Sequence, residues 1–105
     1  MLTEPQFRLE ADRALGAALG ALVPLAEQEG FDVELHNGVL QLVFDRPSPA
    51  KFIVNAHAPA RQIWVSARAR GYRLAWDADT STFALDGEPL AALLDRLTRQ
   101  FLAAS

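Results

Sequence analysis

Four arginines, Arg61, Arg68, Arg70 and Arg73, fall within a stretch that contains no acid, and the same stretch carries Trp64 and Tyr72. Cations beside aromatic rings are binding chemistry: they pair with carboxylates or phosphates and stack on flat groups. One reading is a basic groove with stacking rings that grips a single nucleic-acid strand. The acidic isoelectric point of about 5.2 argues against it. Catalytic chemistry has less to work with. No cysteine is present to act as a nucleophile, and no glycine-rich phosphate loop occurs. His36 stands beside the Asn37-Gly38 pair and His57 falls in a loop, neither with a nucleophile pattern around it. The residues point to a binding protein rather than an enzyme.

The elements that must position these side chains follow from periodicity. Thr3-x-x-Gln6 has the form of a capping box, with Pro5 tolerable in a first turn. Phe7, Ala11, Ala14, Ala18, Leu22 and Leu25 then repeat at three- and four-residue spacing, which predicts a helix from about 4 to 27. Gly16, Gly20 and Pro24 weaken it, and Pro24 is expected to kink it or end its regular part. The Gly16-x-x-x-Gly20 spacing suggests close helix packing rather than a membrane dimer motif. The longest uncharged run, Ala14–Ala26, is too short to span a bilayer.

From residue 31 the period changes to two. Phe31, Val33 and Leu35 alternate with Asp32 and Glu34, a half-buried strand with acids on its wet face. Asn37-Gly38 signals a tight hairpin, because both residues tolerate positive φ. Further strands are expected at 39–44, 51–55, 62–66, 72–76 and 82–85, with a proline-rich loop at 45–49 and a turn at 56–60. Asp86-Gly87-Glu88-Pro89 is expected to open a second helix, whose stripe is Leu90, Leu93, Leu94, Leu97 and Phe101. The order is helix, strands, helix, with short connections. It predicts an α+β fold: a two-layer α/β sandwich, a mostly antiparallel sheet of about five to six strands, and both terminal helices on one face.

That arrangement makes Trp64 conspicuous. Ile63 and Val65 suit a core, so Gln62, Trp64 and Ser66 share the outer face. Leaving an indole there forgoes burial of about 150–250 Å² of apolar area, roughly 4–6 kcal/mol. Tryptophan is also enriched among interface hot spots. Asn55 and Arg73 have the phase to join Gln62 and Trp64 in one aromatic-polar patch. Alternatively, the loop at 67–71, a neighbouring strand or the opposite register covers the ring.

The bulk numbers fit one domain, residues 1–105, with half its residues apolar and a net charge of −3. That charge is uneven. Residues 1–45 carry eight acids and two arginines, whereas residues 46–105 carry five acids and eight bases. Two electrostatic faces of this kind can orient a partner. The absence of cysteine excludes disulfides and thiolate metal sites, and fits a reducing cytoplasm. The acidic start Met1-Leu2-Thr3-Glu4 lacks the basic region of a secretory signal.

The stretch from Val54 to Ser66 is the most distinctive in the chain. Asn55, a proline-containing turn at Pro59, and then Gln62-Ile63-Trp64-Val65-Ser66 resemble the core pattern of the frataxin family in its bacterial form. Asp32-Val33-Glu34, Asn37-Gly38-Val39-Leu40, Gly71-Tyr72, Asp86-Gly87 and Leu93-Leu94 continue the resemblance, which covers residues 5 to 101. It implies an iron-binding accessory protein, an iron chaperone or regulator, in cytoplasmic iron–sulfur cluster assembly. The implied partners are a cysteine desulfurase and a scaffold protein, with no nucleic acid, no membrane and a monomeric state. Asn55, Gln62 and Trp64 match residues of the family's partner-binding sheet face, and Arg73 matches a basic residue there. His57 stands where many members have Gln or Arg.

The resemblance also implies iron, weakly bound as Fe2+ or Fe3+ by surface carboxylates, the hard oxygen ligands such an ion takes. Family members line the second half of the first helix with acids. Here that stretch is Leu19-Gly20-Ala21-Leu22-Val23-Pro24, with none. What remains is Glu27, Glu29, Asp32 and Glu34, with Asp12 and Glu10 further back. Glu27 and Glu29 are expected to approach Asp32 and Glu34 from the preceding turn, giving a thinned site. The same acids can instead be a solvated face, or a docking patch for a basic surface on the desulfurase. Iron oxidation is attributed to the family, but no di-iron pattern of helical Glu-x-x-His repeats is present. A pure interaction regulator without metal is the alternative.

Overall fold

A computed structural model describes residues 2–104. Helix α1 spans Glu4–Glu29 and starts with the expected capping box: Thr3 Oγ1 accepts from the Gln6 N–H, and Gln6 Oε1 accepts from the Thr3 N–H at 2.9 Å. It ends at Gly30, whose φ of 81° is left-handed backbone that costs glycine nothing, and whose N–H reaches the Ala26 carbonyl at 2.8 Å. The helix runs through Pro24 and outlasts the expected end. Pro24 and Gly20, the residue whose carbonyl loses its donor, are both exposed, so water can satisfy that carbonyl. The Gly16-x-x-x-Gly20 pair is not a packing stripe. Both glycines are exposed, and a Cβ built on either meets nothing within 4 Å. They therefore only loosen the helix. Gly16→Ala/Gly20→Ala is expected to stabilise the protein by about 1–2 kcal/mol, read as a raised denaturant midpoint at unchanged slope.

Seven strands follow: β1 Asp32–His36, β2 Val39–Phe44, β3 Ala50–His57, β4 Gln62–Ala67, β5 Arg70–Asp77, β6 Thr82–Leu85 and β7 Glu88–Pro89. Each pairs antiparallel with the next, so the spatial order is the chain order. Strands β3 and β5 extend past their expected ends. The turn between β3 and β4 tightens into a short 3-10 segment, Ala58–Ala60. Asn37 and Gly38 both have positive φ, 52° and 76°, as the primed hairpin turn requires.

Strand β7 stands where the sequence predicts the opening of the second helix. Asp86 and Gly87, with φ of 51° and 82°, form a second tight hairpin turn rather than a helix start. Leu85 pairs with Glu88 and Ala84 with Pro89, so the helix begins only at Leu90. Asp-Gly carries the same turn chemistry as Asn-Gly, and here it prevails over the proline that suggested a first helical turn. Helix α2 spans Leu90–Ala103. Arg96 grips Glu88 through contacts of 2.8 and 2.9 Å, and this hydrogen bonding holds the Glu88 carboxyl below the usual carboxylate range.

Both helices cover one face of the sheet. Phe7, Ala11, Leu15, Ala18, Leu22 and Leu25 of α1 meet Leu93, Leu94 and Leu97 of α2 and the inward residues of the strands. Phe44 stands at the centre of a ring cluster, with Phe31, Phe52 and Phe101 centroids at 4.8, 4.9 and 4.9 Å. Among the described residues no helix is long and apolar enough to cross a membrane. Among the described residues the opposite face of the sheet carries no helix.

Candidate partner-binding sheet face

Strand register sets the site. Asn55 lies opposite Trp64, and Trp64 opposite Arg73, so the three form a row across β3, β4 and β5. Ile63 and Val65 are buried on the inner face, which puts Trp64 and its row on the outer one. Gln62 begins β4 two residues before Trp64 and therefore shares its face. The four residues read from the sequence are thus brought together.

Trp64 is on the expected face but is not bare. It is half-buried. The cover comes from neighbours on the same face, not from the loop between β4 and β5. The His57 ring stacks on the indole with centroids 3.7 Å apart and planes 14° apart. From the other flanking strand, the Arg73 guanidinium lies 4.7 Å from the ring centroid, a cation–π contact. The indole N–H donates to Gln62 Oε1 at 2.9 Å. Three neighbours hold the ring in one orientation.

His57 lies outside the site that the sequence predicts, because the turn is expected at 56–60. Strand β3 continues through His57, which pairs with Gln62 and becomes the diagonal neighbour of Trp64. The signal was available: His57 has the same strand phase as Asn55. Beside the row is a recess of about 340 Å³, lined by Ile53, Asn55, Trp64, Ser66, Gly71 and Arg73 among others. Gly71 contributes no side chain, which leaves the recess open.

The basic stretch does not form one surface. Alternation sends Arg73 to the outer face and Arg70, in phase with Tyr72, toward the helix side. Arg68 occupies the turn with φ of 59° and lies over Phe101, 5.2 Å from its centroid. Arg61 folds back to donate to the Ala58 carbonyl. The continuous groove that the nucleic-acid reading needs is not built.

The carboxylates are dispersed as well. Asp32 and Glu34 are exposed on the outer face of β1, whereas Glu27 and Glu29 are exposed on the last turns of α1, in the helix layer. Asp12 stands about 22 Å back along the helix axis at 1.5 Å per residue. Among the described residues no three of His, Asp or Glu stand together so as to hold a metal ion. The expected approach of Glu27 and Glu29 to Asp32 and Glu34 therefore does not yield a chelating group, because a helix end and an outer sheet face look in different directions.

Fold and face together define the class: an antiparallel sheet covered by two helices on one side, with a clamped tryptophan on the open side. The chain belongs to the frataxin family, in its bacterial branch: the frataxin-like domain matches residues 1–104. Proteins named iron-sulfur cluster assembly protein CyaY are similar to it throughout. That of Dechloromonas aromatica is 35% identical over 101 residues, covering 94% of this chain and 91% of the relative. That of Ralstonia nicotianae is 33% identical over 101 residues, covering 94% and 88%. Yeast frataxin superposes with a TM-score of 0.70 at 26% identity, over 99% of this chain and 86% of that one. A frataxin from Psychromonas ingrahamii superposes with a TM-score of 0.67 at 19% identity, a likeness of fold.

Proposed function

We propose that this protein is a cytoplasmic accessory and regulator of iron–sulfur cluster assembly, docking on a cysteine desulfurase–scaffold complex through its sheet face and the acidic strand β1. The names of its relatives support the pathway. The observation that carries the docking surface is the Asn55–Trp64–Arg73 row, with the ring clamped in place before any partner arrives. An aromatic side chain already ordered loses little entropy on binding. The acids of β1 add long-range attraction toward a basic surface, which speeds encounter more than it tightens the complex.

Iron enters as cargo. On the iron-chaperone reading, Asp32 and Glu34 hold an ion weakly, with water completing its shell and Glu27 and Glu29 too dispersed to close a cage. The second reading, a regulator that carries no metal, is favoured by that same dispersal. Neither reading needs a catalytic residue.

Reconstituted cluster assembly on the scaffold tests the proposal. Stoichiometric wild-type protein is expected to change the assembly rate, in either direction, and to bind the complex. Asp32→Ala/Glu34→Ala is expected to slow association about 3- to 10-fold at low salt, the difference closing as ionic strength rises. Absence of both binding and rate change at saturating protein refutes the function. Anaerobic ferrous titration separates the two readings: chaperone activity requires binding that the Asp32/Glu34 variant loses, and the metal-free regulator requires none. Several tight sites unaffected by the substitutions contradict both.

A further inference from the structure

We propose a second docking site on the helix side of the sheet, a groove that takes a partner peptide in which a bulky apolar side chain lies next to carboxylates. The groove lies between the β4–β5 turn and the last turns of α2, with a volume of about 350 Å³. That is large enough for one or two apolar side chains. Phe52, Ala67, Tyr72, Leu97 and Phe101 supply its apolar surface. It is separate from the Trp64 row, because Phe52 and Ala67 belong to the inward phase of their strands.

The charge at its mouth selects the occupant. Arg68 and Arg70 both line the groove and both are exposed, while no lining residue is acidic. The nearby carboxylates of the α2 region are already engaged: Asp95 with Arg99 at 2.9 Å and Glu88 with Arg96 at 2.8 Å. Among the described residues neither Arg68 nor Arg70 has a carboxylate partner. The Arg68 guanidinium lies over the Phe101 ring, which places its charge at the mouth of the groove. An apolar floor beneath two arginines that have no carboxylate partner among the described residues complements an acidic, apolar segment and repels a basic one. A nucleic-acid strand fits poorly, since the other two arginines of the stretch are turned elsewhere and leave no stripe for successive phosphates.

The test is a titration of the full-length 15N-labelled chain with the synthetic peptide acetyl-Gly-Glu-Asp-Leu-Phe-Gly-amide, followed by amide chemical shifts. Shifts are expected at Ala67–Arg70 and along the last turns of α2. Arg68→Glu/Arg70→Glu, both on exposed positions, is expected to weaken binding at least about tenfold, as is replacement of both acids in the peptide by lysine. An otherwise unchanged spectrum of the variant confirms that it folds. The proposal is overturned if the groove amides do not shift up to millimolar peptide, if the charge reversals leave affinity unaltered, or if the shifts are confined to Asn55, Trp64 and Arg73. None of these results depends on the sheet face being a docking surface.

Discussion

Trp64→Ala is expected to raise the Kd for a desulfurase–scaffold complex at least about 30-fold, the scale of a central aromatic hot spot. The substitution removes the ring from the middle of the row and leaves the Arg73 guanidinium without its π partner. Its effect on folding is smaller. The stack with His57 and the contact with Arg73 are each worth about 0.5–1.5 kcal/mol, so the variant stays folded with roughly 1–3 kcal/mol less stability. His57→Ala provides the finer measurement. It keeps the indole but removes one wall of the clamp, so binding should weaken only about three- to tenfold, through loss of order rather than of contact. Binding measured by calorimetry and unfolding measured in urea give both numbers. Trp64→Ala binding like wild type would show that the row is not an interface.

The largest expected effect on stability is at Phe44. Its ring touches Phe31, Phe52 and Phe101, from the β1 entry, from β3 and from α2. It is 1% exposed, so no solvent can fill what it leaves. Phe44→Ala is expected to cost about 3–5 kcal/mol, combining lost transfer energy with a cavity bounded by three rings. For a domain whose total stability is about 5–15 kcal/mol, that is roughly three fifths or more of the whole in the least stable case. At roughly 4–8 °C per kcal/mol, Tm should fall by more than 12 °C. Phe44→Leu, which keeps most of the volume, should cost far less. Equal losses in the two variants would mean that ring geometry, not the void, sets the energy.

Much of this was legible in the chain because local rules and tertiary demands agree. The capping box at Thr3, the alternation from Phe31 onward, the Asn37-Gly38 turn and the stripe from Leu90 to Phe101 each specify an element through short-range chemistry. The failures are equally local. Asp86-Gly87 offered both a hairpin turn and a helix entry, and only the pairing of Glu88 and Pro89 with β6 decides between them. Gly16 and Gly20 looked like a contact stripe, but spacing does not say which side of a helix meets the sheet. At the site, alternation found the row and missed the clamp. Whether His57 belongs to a loop or a strand depends on where β3 stops, and two residues of extension turn a bland turn histidine into the wall of the site. The carboxylates are a different case: proximity between a helix end and a sheet face is a three-dimensional fact, and a list of nearby acids does not contain it.

Among the described residues, the consecutive pairing of the strands leaves only β1 and β7 without a second neighbour. An open strand is a template on which another chain can add by backbone hydrogen bonding, the first step toward fibrillar aggregation. The two ends are guarded differently. Strand β7 is two residues long and ends in Pro89, which has no N–H to offer an incoming chain. Strand β1 is longer and has no proline, and its outward side chains include Asp32 and Glu34. A second β1 stacking against it would bring these like charges together. The acids that first drew attention as ligands thus also act as gatekeepers against templated growth, a duty they discharge whether or not a metal ever binds.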